Sequence, residues 1–216
     1  MTHSRKLSNY LLIITHVGAW IPLALLVFDF FTNNLTANPI QEATFRTGKT
    51  ALALLALSLA CTPLNTLFNF HAAIKVRKPL GLYAFMYASI HFLIFIWVDL
   101  GLNWAFIKEA FLEKPYALVG FSAFLILLPM AITSTRGWQK RLGKNWKRLH
   151  RLVYLAGGLV VVHYIWVVKS DYREPLLWGL GIGLLLLLRI RPVKAWARRR
   201  IAAARSSKRD TVTAEA

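Results

Sequence analysis

The hydrophobic residues of this chain form long blocks separated by short polar segments, unlike the short periodic pieces of a soluble domain. A helix that crosses a bilayer needs about 20 mostly apolar residues. Six blocks approach this length, and they cover residues 10–31, 51–70, 79–98, 115–134, 149–168 and 172–190. The pattern therefore predicts an all-α membrane protein, a six-transmembrane-helix bundle over residues 10–190. The last block is the weakest, because its purely apolar core covers only residues 175–188.

The first block resembles a signal peptide at its start, since Arg5 and Lys6 precede it. It is longer than the roughly 7–15 apolar residues of a signal sequence, and no clear cleavage site follows. We therefore expect an uncleaved first transmembrane helix. Pro22 and Pro129 lie inside predicted spans, where proline removes a backbone hydrogen bond, so we expect kinks at both.

The charge distribution predicts how the bundle is oriented. The formal net charge is +18, and an N-terminus inside places 21 of the 27 Lys and Arg residues on the inner side. Seven of the nine acidic residues then fall outside. This asymmetry predicts an N-in, C-in protein of a bacterial inner membrane, with residues 1–9 as a cytoplasmic N-terminus and residues 191–216 as a basic cytoplasmic tail. The basic clusters flank the spans, which indicates contacts with anionic membrane lipid and argues against nucleic acid.

The tail is too short to form a nucleotide-binding domain, so we expect any reduced nucleotide to act through a separate protein. The single cysteine, Cys61, excludes a disulfide framework. Because it lies in an apolar block, we interpret it as a small buried hydrophobic residue.

Four of the six histidines lie in or at the ends of predicted spans: His16, His91, His150 and His163. His3 and His71 lie outside the spans, and we expect both to be solvated. An ionisable side chain inside a membrane indicates a functional site. His91 and His163 each lie roughly 16 Å from the inner end of their spans, given the rise of an α-helix. Two imidazoles at one depth are typical of haem held between helices, but a polar contact between helices gives the same pattern.

The other two buried histidines are less specific. His150 precedes His163 by 13 residues, which places it about 20 Å lower, so the two cannot bind one iron. It marks either a second site near the inner face or an interfacial histidine. His16 forms either a hydrogen bond between helices or a cofactor contact. Aromatic side chains near the His91/His163 pair are candidate cavity walls, although ordinary helix packing also explains them: Phe85, Tyr87, Phe92, Phe95, Tyr154 and Tyr164.

Two segments resemble the ferric-reductase-like transmembrane superfamily. Residues 79–91, Pro-Leu-Gly-Leu-Tyr-Ala-Phe-Met-Tyr-Ala-Ser-Ile-His, are similar to its third span. Residues 141–166 are similar to its fourth loop and fifth span, through a W-x-x-L-H-R-L-V-Y run followed by a second histidine 13 residues after the first. Within this superfamily, the chain is similar to the haem-bearing membrane subunits of periplasmic protein-methionine-sulfoxide reductase systems. The similarity rests on these segments together with the six predicted spans, the short length and Thr133-Ser134.

The resemblance implies outward electron transfer through haem b, with His91 and His163 as the axial iron ligands. Two-haem members carry a further histidine 14 residues before the equivalent of His91. Arg77 stands there in this chain, and a guanidinium is not a normal iron ligand. The resemblance therefore implies one complete pair, and His150 with Arg77 as a candidate second cofactor site.

The resemblance also implies FMN. Basic side chains at the inner surface are candidate contacts for its phosphate, and Trp146 for its ring. These candidates are Lys78, Trp146, Lys147, Arg148 and Arg151.

The sequence thus predicts a one-electron relay rather than the enzyme that meets the final substrate. The expected donor is a cytosolic flavin reductase or a membrane quinol. The expected acceptor, implied by the resemblance, is a periplasmic molybdopterin-containing methionine-sulfoxide reductase that repairs oxidised proteins. Two alternatives remain: a stand-alone ferric-reductase-like cytochrome b, and a non-redox transporter or assembly protein.

Overall fold

The computed structural model describes residues 3–190, 192–197, 199 and 201, with side chains from residue 6 onward. The described chain is helical, apart from short connections. Its main helices are α1 (His3–Phe31), α2 (Pro39–Phe68), α3 (Ala72–Leu93), α4 (Trp104–Glu113), α5 (Pro115–Ile132), α6 (Arg136–Leu142), α7 (Lys144–His150), α8 (Val153–Val167) and α9 (Arg173–Leu187). A π-helical stretch, Ile94–Asp99, extends α3. Most of the predicted basic tail, 191–216, lies outside the described residues.

Five described segments are long and apolar enough to cross a membrane: Lys6–Phe31, Pro39–Phe68, Ala72–Asp99, Pro115–Ile132 and Lys144–Val167. The chain is therefore a multi-pass, all-helical membrane protein. The predicted sixth span is α9, which has 15 residues and falls short of the roughly 20 that a span requires. The predicted count of six spans is therefore not confirmed. The apolar length of α9 is limited because Arg173 and Glu174 start the helix and Arg189 follows it closely.

The outer surface of the bundle is apolar, as lipid contact requires. On α1 alone, Ile13, Ile14, Val17 and Phe28 each expose more than half of their surface. The polar contacts are instead directed inward or lie at the ends of the helices.

Tyr87 of α3 joins α1 at the predicted kink. Its hydroxyl donates to the carbonyl of Ala19 at 2.7 Å and accepts from the backbone N–H of Leu23 at 3.0 Å. The hydroxyl thus stands between two groups that an unbroken helix would pair directly, beside Pro22. Tyr87 is 1% exposed, so this bridge is sealed inside the bundle.

Helix α2 starts 12 residues before the predicted span. Asn38 caps it by accepting a hydrogen bond from the N–H of Gln41 at 3.1 Å, and Pro39 occupies the first turn. The early start places the polar segment around Thr44 on a helix, beside α3.

The predicted fifth span, 149–168, largely coincides with Lys144–Val167, which is long and apolar enough to cross a membrane, but a turn interrupts its helix. Helix α7 ends at His150, a turn covers Arg151 and Leu152, and α8 begins at Val153. His150 and His163 therefore lie in one span but on two helical segments, α7 and α8.

Two helix pairs build the core: α2 packs along α3, and α5 packs along α8, while α3 also meets α5. We call the outer end the end of the bundle formed by residues 32–38, 100–114 and 169–172. Ion pairs join the helices there: Lys49 of α2 binds Glu174 of α9 at 2.6 Å, and Arg46 of α2 binds Asp29 of α1. Arg46 also pairs with Glu42, one turn earlier on its own helix. Glu42, Arg46 and Lys49 belong to a segment predicted to lie outside, and Asp29 and Glu174 stand at the ends of predicted spans next to outside segments.

Candidate functional site

A cavity of about 410 Å³ lies between α2, α3, α5 and α8, toward the outer end. Its inner part is lined by small and apolar side chains such as Ala84, Ala88 and Leu127. His91 of α3 and His163 of α8 form part of its wall. A predominantly apolar cavity with a few converging polar groups is the usual form of a cofactor site.

The structure brings His91 and His163 together. Their ring centroids are 6.0 Å apart and their planes are inclined by 86°. When two imidazoles bind one metal ion from opposite sides, their ring centroids are separated by two metal–nitrogen bonds of about 2 Å plus the distance from each nitrogen to its ring centroid. Together these distances make roughly 6 Å. The two rings therefore have the separation of imidazoles that share one metal ion between them.

Both rings are fixed by backbone carbonyls. The Nδ1 atom of His91 bonds to the carbonyl of Thr44 at 2.9 Å, and Nδ1 of His163 bonds to the carbonyl of Tyr116 at 2.8 Å. A carbonyl can only accept, so each Nδ1 carries the proton. In a neutral imidazole the lone pair then lies on Nε2, which is how proteins present a histidine to a metal.

Glycines make room for both rings. A Cβ atom at Gly120 would lie 2.7 Å from Nδ1 of His163, and one at Gly48 would lie 3.0 Å from Nδ1 of His91. Each glycine stands one helical turn after the residue whose carbonyl holds the ring. Each histidine is therefore held by one turn of the neighbouring helix, through a carbonyl and a glycine.

The two halves of the cavity repeat with an offset of 72 residues. This offset relates His91 to His163 and Gly48 to Gly120, and it relates Thr44 to Tyr116. In all, 22 of the 28 residues that line the cavity fall into such pairs. The α2/α3 and α5/α8 pairs thus present equivalent surfaces to a shared central space.

The outer end of the cavity breaks this symmetry. Asn38, Gln41 and Asp99 line it there without counterparts in the other half. Among the described residues that line the cavity, Lys49 is the one Lys or Arg, and it also pairs with Glu174. Polar groups therefore collect at the outer end.

Only part of the predicted aromatic wall lines the cavity: Phe92, Phe95 and Tyr164. Phe85 stacks on Phe124, with ring centroids 5.5 Å apart, and Tyr87 bridges to α1. The prediction was therefore partly wrong, because aromatic spacing along a helix does not reveal which neighbour a ring meets.

His150 lies at the end of α7, just before α8, and is bonded differently. The single hydroxyl hydrogen of Thr133 is donated to the carbonyl of Pro129 at 2.6 Å. The same oxygen, 3.2 Å from Nε2 of His150, therefore accepts from that nitrogen. Trp146 stacks on the His150 ring at 4.0 Å and donates its Nε1–H to the Thr133 carbonyl at 2.9 Å. No second histidine faces His150 among the described residues.

Arg77, the other member of the predicted second site, lies within electrostatic reach of His150 and of Arg189. Arg189 turns into the bundle, where it donates to the carbonyl of Leu59 at 2.6 Å and to the hydroxyl of Tyr154 at 3.1 Å. The Arg189 guanidinium thus ties the end of α9 to α2 and α8.

The candidate FMN contacts divide into two groups. Lys147, Arg148 and Arg151 line a pocket of about 400 Å³ at the inner surface, together with Gly143 and Lys144. Lys78 and Trp146 do not line it.

Of the remaining histidines, His16 bonds through Nδ1 to the hydroxyl of Tyr83 at 2.8 Å. This is the helix–helix hydrogen bond that we had weighed against a cofactor contact. His71 is exposed, as expected, whereas the side chain of His3 lies outside the described residues. Cys61 is buried, and its thiol donates to the carbonyl of Leu57.

The residues that hold the two imidazoles were not predicted. Thr44 and Tyr116 act through backbone carbonyls, which carry no signature in a sequence. Gly48 and Gly120 carry a weak signal, since each precedes its histidine by 43 residues, and this repeated interval points to the duplicated arrangement.

Comparison with known proteins shows the family to which the chain belongs. A profile of the family described as "Ferric reductase like transmembrane component" matches residues 47–161. A protein of Xanthomonas campestris pv. campestris (strain 8004), named protein-methionine-sulfoxide reductase heme-binding subunit MsrQ, is 46% identical over 81% of this chain and 83% of its own. Proteins of the same name from Xanthomonas euvesicatoria pv. vesicatoria (strain 85-10) and Herminiimonas arsenicoxydans are 46% and 41% identical, over 90% and 85% of this chain and 91% and 84% of their own. The chain therefore belongs to the ferric-reductase-like transmembrane family and, within it, to the MsrQ heme-binding subunits.

Proposed function

We propose that this chain binds haem b between His91 and His163 and passes electrons, one at a time, across the bacterial inner membrane to a methionine-sulfoxide reductase. The observation that supports this most directly is the pair of facing imidazoles. Both carry the proton on Nδ1, so each has an Nε2 lone pair available as an axial ligand. Haem bound there supplies a one-electron couple between ferric and ferrous iron.

The cavity around the histidines suits a flat macrocycle with apolar faces and a charged edge. Leu52, Leu55 and Phe124 supply apolar walls. Lys49 and Gln41 lie at the outer end, where a carboxylate of the group would find a cation and a donor. The protein's own contribution is to hold the imidazoles, keep the iron dry and set its potential.

For the membrane arrangement we propose six spans with both termini inside. The positive charge of the predicted inner segments supports this orientation. Helix α9, although short, packs against α2 and α8 and would complete the bundle.

The partners proposed here follow from the relatives' name. A heme-binding subunit of a protein-methionine-sulfoxide reductase implies a separate catalytic subunit, which we propose to be periplasmic and molybdopterin-containing. We propose a cytosolic flavin reductase or a quinol as the donor at the inner face.

For the inner end we propose a second cofactor site at His150 and Arg77, with FMN as the candidate group. The pocket lined by Lys147, Arg148 and Arg151 supports a phosphate contact. Trp146 supports ring stacking less well, since its indole already covers His150.

The test uses the full chain in proteoliposomes that enclose a reductant. Reduced haem should be reoxidised when the methionine-sulfoxide reductase subunit and a peptide with methionine sulfoxide are added outside. Reoxidation by ferric chelates alone, with no effect of that subunit, would favour a stand-alone ferric reductase. A chain without haem would favour the transporter or assembly alternative. Flavin counted in the same sample decides the FMN proposal.

A further inference from the structure

We infer that Gly48 and Gly120 are positioning residues, which hold the His91 and His163 imidazoles perpendicular to each other and so set the electronic state of the iron between them. The inference rests on the proposed haem site and goes beyond it. It starts from the 86° angle between the two ring planes.

The backbone alone gives no reason for glycine at either position. Both residues lie inside regular helices, and neither has a positive φ. Glycine inside a helix is less favourable than alanine. The reason must therefore be the space that the missing side chain leaves.

That space is taken by the imidazole rings. A Cβ at Gly120 would lie 2.7 Å from Nδ1 and 2.8 Å from Cε1 of His163. At Gly48 the matching distances to His91 are 3.0 and 3.2 Å. A carbon atom cannot stay at 2.7 Å, so an added methyl must push the His163 ring away, and the His91 ring must yield by a smaller amount.

Neither ring can move directly away from its glycine without weakening a hydrogen bond. The Thr44 and Tyr116 carbonyls accept from Nδ1 at 2.9 and 2.8 Å, so moving a ring away from its glycine stretches that hydrogen bond. The remaining motion is a rotation about the χ angles, which changes the plane of the ring. A methyl group at either glycine therefore acts on the angle between the ring planes.

This angle has a spectroscopic consequence. In ferric low-spin haem with two imidazole ligands, parallel ring planes separate two of the iron d orbitals, whereas perpendicular planes leave them nearly equal in energy. Perpendicular planes then give a highly anisotropic electron paramagnetic resonance (EPR) spectrum with one dominant low-field feature. Parallel planes give a rhombic spectrum with three resolved features. The protein can therefore influence the electronic state of the iron by fixing the orientation of the imidazole rings.

The test compares EPR spectra of the oxidised full chain with those of Gly48→Ala and Gly120→Ala, with haem counted in each sample. Gly158→Ala is the matched control, because it adds the same methyl to the His163 helix where nothing lies within 4 Å. We expect the wild-type and control spectra to be highly anisotropic. Gly120→Ala should shift toward rhombic or lose haem, and Gly48→Ala, with the looser contact, should shift less and keep its haem.

A rhombic wild-type spectrum would overturn the inference, as would wild-type spectra from both variants with full haem. If Gly120→Ala loses its haem, the spectrum of Gly48→Ala decides. A wild-type chain without haem would contradict the proposed function instead, so the two failures are distinguishable.

Discussion

The two ends of the bundle both carry histidine, but they present it in opposite ways. Toward the outer end, His91 and His163 lie close together and give their Nδ1 protons to backbone carbonyls. At the inner end, His150 donates from Nε2 to Thr133 and lies under Trp146, and its predicted partner position is Arg77. A histidine in or near a membrane span therefore does not by itself indicate a metal site. The two cases differ in the ring nitrogen that donates a hydrogen bond to the protein, because donation from Nδ1 leaves Nε2 available to a metal ion.

The largest effect that follows from this contrast is loss of haem from the outer pair. His91→Ala and His163→Ala should each lower the haem bound per chain by more than about tenfold, because loss of even a supporting contact of a metal ligand commonly costs that much. Pyridine haemochromogen assays on purified protein measure it. His16→Ala is the control, since its ring only bonds Tyr83. A haem content near the wild-type value in either variant would contradict the assignment.

A second prediction separates loss of stability from loss of ligation. Tyr87→Phe leaves the Ala19 carbonyl and the Leu23 N–H without their buried partner. The free energy of unfolding should fall by about 1–3 kcal/mol, seen as a lower thermal midpoint in detergent. The haem spectrum per folded chain should not change, and a changed ligand spectrum would show that α1 packing and the site are coupled.

The third prediction concerns the polar outer end. Lys49→Met removes the described cation of the cavity while keeping the length of the side chain. Because the lysine is partly exposed, haem affinity should fall only about two- to fivefold. Haem transfer to apomyoglobin measures the change, with Lys108→Met as a surface control. An unchanged affinity would mean that the charged edge of the haem does not meet Lys49.

The smallest effect is expected at the inner end. His150→Ala and Thr133→Val should leave the haem held by His91 and His163 in place, with an unchanged EPR spectrum. If either variant lost that haem as completely as His163→Ala does, the contrast between the two ends would be wrong.

The sequence was sufficient for five of the six predicted membrane spans and for placing His91 and His163 together. Apolar blocks locate membrane helices because the bilayer sets their length, and a fixed rise per residue places His91 and His163 at one depth. It was not sufficient for the ends of helices. Asn38 and Pro39 start α2 early, and the turn at Arg151 divides the fifth span, since local capping decides such boundaries.

The contacts that hold the two imidazoles could not be predicted from the sequence either. The backbone carbonyls of Thr44 and Tyr116 carry no residue-specific signal. The role of Gly48 is visible only once α2 is packed against His91. Contacts between residues 43 or 47 positions apart depend on the tertiary arrangement of the helices, which hydrophobic periodicity does not encode.

Near-infrared magnetic circular dichroism of the oxidised wild-type chain tests the central claim most directly, because the charge-transfer band of low-spin ferric haem reports the chemical type of both axial ligands. We predict the band of two neutral imidazoles, from His91 and His163. A high-spin spectrum, or a band from any other ligand pair, would contradict the site.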